Sequence, residues 1–324
     1  CASPRRWNGC CRESAMPLPK LVVVVGPTAS GKSDLAIVLA KKFHGEIVSA
    51  DSRQLYRGMD IGAAVEPGRW VKRGTRRIYV ARGIAHHLTA FRSPAKPLTA
   101  AEYKSLATRA IRDVGARGKL PIMVGGTGLY VNAVVYNFTI PEVAPNQALR
   151  RSLEKLPTAT LFAKLRQADP VYASRITPQN RRYIIRALEV IAATGRKFSE
   201  LQQKGKPLFE TLLLGVGRPQ AELYRRIDAR VDAMMRRGLI KEARTLGRRY
   251  GWDNPALSSL GHRQLGLALQ EKMTLEAAVD LIKRDTRRYA KRQIAWFKRD
   301  RRIKKVRSAS AAAQMVKTFV KRPN

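Results

Sequence analysis

Leu21-Val-Val-Val-Val-Gly-Pro-Thr-Ala-Ser-Gly-Lys-Ser33 is the stretch from which the fold is read. Five apolar residues, four of them β-branched, predict a strand buried on both faces. Gly26 opens a loop, Gly31-Lys32-Ser33 closes it, and a helix is expected from about Asp34 to Phe43. The spacing is G-x-x-x-x-G-K-[ST] between a strand and a helix, the context this motif requires. Such a loop aims backbone N–H groups and a helix N-terminus at one point, where a phosphate or diphosphate is stabilised. Lys32 adds a point charge to a phosphoryl oxygen, and the Ser33 hydroxyl is the expected Mg²⁺ ligand. The motif does not say which phosphorylated ligand is bound.

Outward from this loop, strands and helices alternate. Glu46-Ile-Val-Ser-Ala-Asp51 reads as a second strand ending in a carboxylate. Residues 66–82 read as basic and irregular, and Thr99–Ala116 has helical spacing. Leu120-Pro-Ile-Met-Val-Gly-Gly126 reads as a third strand running into a glycine turn and a helix to about Tyr136. This alternation predicts a parallel α/β sheet with its ligands beyond the carboxyl ends of the strands. The loop at 26–33, Asp51 and Gly125-Gly126-Thr127 all fall at such ends and are expected to converge. Asp51 is a candidate Mg²⁺ ligand, general base or helix cap. Thr127 is a candidate hydrogen-bond donor to a phosphate or leaving-group oxygen, or a cap. From 141 to 208 the periodicity is helical only, with prolines at 157, 170 and 178, until Leu212-Leu-Leu-Gly-Val216 returns to the sheet. The expected organisation is a core of 17–140 and 209–307, a helical insertion over 141–208 and a tail over 308–324. Residues 1–16 are read as a non-native or unstructured extension with Met16 as the expected start.

Charge is the second signal. Lys plus Arg number 63 against 24 acids, a net +39, which favours a polyanionic partner. Residues 281–307 alone hold thirteen Lys/Arg, and Ile282, Tyr289, Trp296 and Ile303 recur every seven, so one face is expected to pack inward. Arg226 and Arg230 stand four apart on one helix face, placed either to clamp a diphosphate or to lie in solvent. All three cysteines, Cys1, Cys10 and Cys11, lie in the first eleven residues, which excludes a disulfide framework and a Cys₄ zinc site. The adjacent His86-His87 lack the spacing of a zinc pair. No apolar run approaches a membrane span, and a cytoplasmic location is expected.

Taken jointly, several stretches resemble the tRNA dimethylallyltransferase (tRNA isopentenyltransferase, or IPP transferase) family. They are Gly26-Pro-Thr-Ala-Ser-Gly-Lys-Ser33, Asp51-Ser-Arg-Gln-Leu-Tyr-Arg-Gly-Met-Asp-Ile-Gly62, His86-His-Leu88, Val124-Gly-Gly-Thr-Gly-Leu-Tyr130, Arg186-Ala-Leu-Glu-Val190, Leu260-Gly-His-Arg-Gln-Leu265 and Arg287-Arg-Tyr-Ala-Lys-Arg-Gln-Ile-Ala-Trp-Phe297. They cover about 20–300 in the family's order. The resemblance implies a P-loop NTPase-like parallel sheet flanked by helices, with an all-helical insertion domain that contacts tRNA. It implies transfer of a dimethylallyl group from dimethylallyl diphosphate to N6 of the adenosine 3′-adjacent to the anticodon. By this resemblance Gly26, Pro27, Thr28, Ala29, Ser30, Gly31, Lys32 and Ser33 bind the diphosphate, Ser33 holds Mg²⁺, and Asp51, Thr127 and Arg230 are catalytic. Ser52, Arg53, Gln54, Arg182, Arg186, Arg263, Lys291, Arg292, Gln293, Trp296 and Lys298 match tRNA-contacting positions. The implied partners are the tRNA anticodon stem-loop and dimethylallyl diphosphate, with no membrane and a monomeric chain. The chain departs from the family pattern at Ala64-Val65, Thr89-Ala90, Tyr183 and His262, and in a longer 66–82 segment. The competing readings are a P-loop kinase of a nucleotide or small metabolite, a prenyltransferase acting on free AMP or ADP, and a non-catalytic RNA-binding protein.

Overall fold

The computed structural model describes residues 18–322. The expectations for residues 1–16, the three cysteines and Met16 lie outside these residues. Among the described residues an eight-stranded sheet forms from β1 (Lys20–Val25), β2 (Glu46–Ser49), β3 (Gly68–Arg73), β4 (Arg76–Ala81), β5 (Ile84–His87), β6 (Pro121–Gly125), β7 (Glu210–Val216) and β8 (Lys304–Val306), in the spatial order β3-β4-β5-β2-β6-β1-β7-β8. Strands β5 to β8 of that order pair in parallel, and β3 and β4 add an antiparallel edge.

β1 is central, pairing Val22 with Ile122 on one side and Leu212 on the other. Its two side-chain rows enter two different cores. Leu21, Val23 and Val25 join Val48, Met123 and Leu213 under α2 (Ala100–Ala116) and α3 (Gly128–Val135). Val22 and Val24 join Ile47, Ile122 and Leu214 under α1 (Lys32–Lys42). Burial of both rows explains the uninterrupted apolar run. α2 starts with a full capping box, the Thr99 side chain accepting from the Glu102 N–H and the Glu102 carboxylate from the Thr99 N–H.

The insertion holds α4 (Gln147–Glu154), α5 (Thr158–Ala168), α6 (Pro170–Ala173), α7 (Arg181–Thr194) and α8 (Phe198–Leu201) around a separate cluster that includes Leu161, Leu165, Ile184 and Val190. A bridge between Phe138 and Lys204 joins its two ends. After β7 come α9 (Gln220–Arg236), α10 (Leu239–Tyr250), α11 (His262–Leu269) and α12 (Leu275–Lys298), then β8 and α13 (Ala309–Lys321). Among the described residues no helix is long and apolar enough to cross a membrane.

One expectation needs correction, and two segments gain definition. The 66–82 segment is a β-hairpin and not irregular. Gly74, at φ +60°, forms its turn with Thr75, and Trp70 pairs with Tyr79 across the two strands. The 308–324 tail is largely helix α13, capped by the Ser308 hydroxyl accepting from the Ala311 N–H. Its Ala312, Ala313, Val316 and Phe319 complete the core over α1, because that spacing makes one apolar stripe. Ile303 falls beyond the end of α12 and packs against Gly215 of β7, so the seven-residue repeat spans a helix end.

Glu46 opens β2, the strand that leads to Asp51, with its side chain 1% exposed. It accepts from Arg117 Nη1 (2.8 Å) and Lys119 Nζ (2.7 Å) and is 2.7 Å from His87 Nε2. Burial alone would raise its carboxyl pKa. The bonds from Arg117, His87 and Lys119 outweigh burial and hold it far below the usual carboxylate range. Glu46→Ala would leave three cationic or ionisable partners facing an empty slot. The expected loss is about 2 kcal/mol, below the range for wholly buried pairs because Arg117 and Lys119 are 36% and 38% exposed. Denaturant unfolding reads this, and an unchanged midpoint contradicts the network's role.

Candidate active site

The loop between β1 and α1 is shaped by close contacts. A Cβ at Gly26 would strike the carbonyl oxygen of Val216 on β7, so only glycine fits there. The outward carbonyls are held from α9 and its approach: Arg226 Nε donates to Ala29 O (2.9 Å) and Arg218 Nε to Ser30 O (3.0 Å). With the carbonyls turned away, the inner side carries N–H groups, including those of the first turn of α1, which have no partner within the helix. The helix starts two residues earlier than read from sequence, with Lys32 and Ser33 inside that turn. The Ser30 hydroxyl is buried and has no hydrogen-bond partner among the described residues.

Lys32 Nζ donates to Pro27 O at 3.2 Å. Burial lowers its pKa to about 8, against the pull of Asp51 and with the push of Arg230. The Arg230 pKa is likewise lowered by burial and opposed by Asp51. The Asp51 charge acts on both cations and Arg230 acts on Lys32, so the three groups lie within electrostatic range of one another, Lys32 and Asp51 at strand ends and Arg230 on α9. Arg226, by contrast, is committed to the loop backbone.

Asp51 is held by its own chain. Its Oδ1 accepts from the N–H of Arg53 (2.9 Å) and Gln54 (3.4 Å), which leaves Oδ2 for a ligand. The Thr127 hydroxyl oxygen accepts from the Ser52 N–H at 3.0 Å, joining the β6 loop to the β2 loop. Tyr289 of α12 lies near the Thr127 side chain, and burial, with the nearby Asp51 charge, pushes its pKa up to about 12. Tyr289 therefore stands at the site, neutral and within reach of Asp51 and Thr127. Its sequence signal was the seven-residue repeat, read there as packing alone. Beneath them Tyr103 and Tyr130 stack at 3.7 Å, and Tyr103 donates to Ser49 O.

The other candidate residues divide into two groups. Arg182, Arg263, Lys291, Arg292 and Lys298 are exposed, with Arg263 also bonded to Asp285. Arg53 donates to Pro255 O and Ala256 O, and Gln54 to Ala63 O and Ala64 O. Arg186 is bonded to Glu189 and to the carbonyls of Pro141 and Val143, and the Trp296 indole lies against Gly128. Gln293 corrects the reading from sequence. It is 5% exposed, its Oε1 accepts from the Thr28 N–H (2.8 Å) and its Nε2 donates to Gly126 O (2.9 Å). A carboxamide that bridges two backbone groups in the interior faces the phosphate loop and not an external polymer.

For a hard cation beside a bound phosphate, the donors present are hydroxyl oxygens: Ser33 in the first helical turn and Ser30, whose hydroxyl has no hydrogen-bond partner among the described residues. That oxygen chemistry fits Mg²⁺. The site combines an anion cradle, two desolvated cations and a fixed carboxylate.

The family model described as IPP transferase matches residues 54–300. A tRNA dimethylallyltransferase of Roseiflexus sp. is 45% identical over 284 residues, 86% of this chain and 90% of that one. One from Geobacillus thermodenitrificans is 43% identical over 286 residues, 86% and 87% of the two chains. The crystal structure of the tRNA isopentenylpyrophosphate transferase of Bacillus halodurans superposes with a TM-score of 0.66 at 36% identity, over 93% of this chain and 95% of that one. A eukaryotic dimethylallyltransferase acting on tRNA gives 0.75 at 28% identity, over 94% and 80%. With the family model matching residues 54–300 and relatives 43–45% identical over 86% of the chain, this chain belongs to the IPP transferase family.

Proposed function

We propose that this protein transfers the dimethylallyl group of dimethylallyl diphosphate to N6 of the adenosine 3′-adjacent to the anticodon in tRNA. The observation that carries this is a phosphate loop whose Lys32 lies within electrostatic range of Arg230 and of Asp51, a carboxylate fixed through one oxygen by its own chain. The diphosphate lies on the N–H groups of Gly31, Lys32 and Ser33 at the start of α1, with the Lys32 and Arg230 side chains on its oxygens. Its first prenyl carbon then faces Asp51 and Thr127. An exocyclic adenine amine is a poor nucleophile, so the carbon must become cation-like as its bond to oxygen breaks. Charge gathered on the departing diphosphate is stabilised by the preorganised cations and N–H groups. The N6 lone pair forms the new C–N bond, diphosphate leaves with the C–O electron pair, and Asp51 Oδ2 takes one N6 proton. The Thr127 hydroxyl, positioned by Ser52 and close to Tyr289, orients the leaving oxygen. Ser33 and its neighbouring oxygens would hold Mg²⁺, which supplies further charge neutralisation at the diphosphate. The adenine must leave its stack to arrive there, which a single-stranded anticodon loop allows at low cost. The exposed Arg182, Arg263, Lys291, Arg292 and Lys298 contact the anticodon stem-loop.

Labelled dimethylallyl diphosphate, Mg²⁺ and unmodified tRNA, followed by nucleoside analysis, should yield labelled N6-dimethylallyladenosine. Label on free AMP alone, or phosphoryl transfer from ATP without prenyl transfer, overturns the proposal. Asp51→Ala should lower kcat by about 10²–10⁴ while tRNA affinity stays within a few-fold, and near-normal turnover removes Asp51 as base. Affinity for dimethylallyl diphosphate should be full while Lys32 is protonated and fall as pH rises through about 8. Lys32→Ala should bind weakly at every pH, and a flat wild-type profile contradicts the assignment. Gln293→Ala should raise KM for dimethylallyl diphosphate and cost about 1–2 kcal/mol of stability with tRNA affinity unchanged. A selective loss of tRNA binding would instead return Gln293 to the RNA surface.

A further inference from the structure

The β3–β4 hairpin is absorbed by neither the fold nor the site, and its position is specific. Residues 66–82 hold six Lys/Arg against one acid, Glu66. Arg82 is neutralised at the base of the hairpin, 2.8 Å from Asp34 of α1 and 3.7 Å from Glu66. Tyr79 donates from its hydroxyl to Glu66 O, pinning the same end. Towards the tip, Lys72 and Arg77 are exposed, and among the described residues neither has an acidic partner.

Register places the tip. Tyr79 pairs with His86 and Val48 with His87, so Ile78 stands level with Val48. Continuing along both strands, the Gly74-Thr75 turn rises to the level of Asp51. Ser49 pairs with Val124 and Val25 with Gly125, so that level is also the level of Gly26. Only β5 lies between β4 and β2. Two strand spacings put the hairpin roughly 10 Å to the side of the strand that carries Asp51. Lys72 and Arg77 are cross-strand partners and share a face with Trp70 and Tyr79, since Trp70 pairs with Tyr79 two residues along. Trp70 meets Tyr79 edge-on at 5.7 Å and is still 37% exposed, so part of the indole is open to a ligand. Unpaired cations beside an exposed aromatic ring, at the rim of a site for an extruded base, suit a nucleic-acid backbone. Charges on an edge strand also deter strand pairing between chains, but that role does not require them beside the site rim.

We infer that this hairpin is a tRNA-binding arm: Lys72 and Arg77 contact backbone phosphates of the tRNA whose adenine is held at Asp51, and Trp70 packs against an adjoining sugar or base. The inference rests on the tRNA-modifying function proposed above and adds a contact surface to it. The measurement is tRNA affinity against salt concentration for Lys72→Ala/Arg77→Ala, for Trp70→Ala and for the length-preserving Lys72→Gln/Arg77→Gln, using unmodified tRNA transcript. Thermal unfolding midpoints are read alongside to show that each variant is folded. Each double variant should weaken tRNA binding on the order of tenfold and reduce the salt slope by about two, one per lost phosphate contact. Trp70→Ala should weaken binding and leave the slope unchanged. KM for dimethylallyl diphosphate and kcat at saturating tRNA should match wild type in all three. If the folded double variants keep wild-type affinity and slope while wild type prenylates tRNA, the arm is refuted and the proposed function stands. If wild type neither binds nor prenylates tRNA, both are refuted.

Discussion

One buried carboxamide, that of Gln293, joins the parts of the site. It accepts from the Thr28 N–H of the phosphate loop and donates to the Gly126 carbonyl of the β6 loop. Both groups would otherwise be buried polar atoms without partners, a cost of about 1–3 kcal/mol each. The same helix, α12, brings Tyr289 to Thr127, and Thr127 in turn accepts from Ser52 beside Asp51. Three strand ends and one helix are thereby fixed relative to one another through three hydrogen bonds. The exposed face of α12 presents Lys291, Arg292 and Lys298. One helix can therefore position the phosphate loop from its inner face and present cations to RNA from its outer one.

Charge in this site is held under tension. Lys32 and Arg230 are both disfavoured as cations by burial, and Asp51 offsets part of that cost for each. A diphosphate would relieve the tension further by bringing negative charge to both. On the proposed function, the same two cations would also stabilise charge as it develops on a leaving diphosphate. Asp51 keeps a defined orientation through two backbone N–H bonds to one oxygen, and among the described residues the second oxygen has no hydrogen-bond partner.

The phosphate loop, the strand-end aspartate and the order of α/β units were legible in sequence because each depends on local spacing. Gly26 to Ser33 carries its geometry within eight residues, and β1 declares its double burial by its apolar run. Gln293 was misread because its partner Thr28 lies 265 residues away, and nothing near Gln293 shows which face of α12 turns inward. Tyr289 was recognised as inward-facing but not as part of the site, since its meaning depends on where Thr127 comes to lie. The hairpin was obscured because Lys and Arg occupy exposed positions on both of its faces, which blurs the strand alternation. Helix α13 escaped notice because its stripe is built largely on alanine, whose burial leaves a weak pattern. The departure at His262 has a local account: its ring is buried, 3.0 Å from both Ser259 Oγ and Glu242 Oε1, and Glu242 accepts from the Ile61 and Gly62 N–H groups.

The central claim is that the phosphate loop and Asp51 serve one reaction at one point. A crystal structure of the protein with tRNA and an unreactive thiolate analogue of dimethylallyl diphosphate tests it most directly. The account predicts the diphosphate on the N–H groups of residues 31–33 and an extruded adenine whose N6 lies within hydrogen-bond distance of Asp51 Oδ2. An adenine bound elsewhere, or Asp51 turned away from it with the analogue in place, would contradict the account.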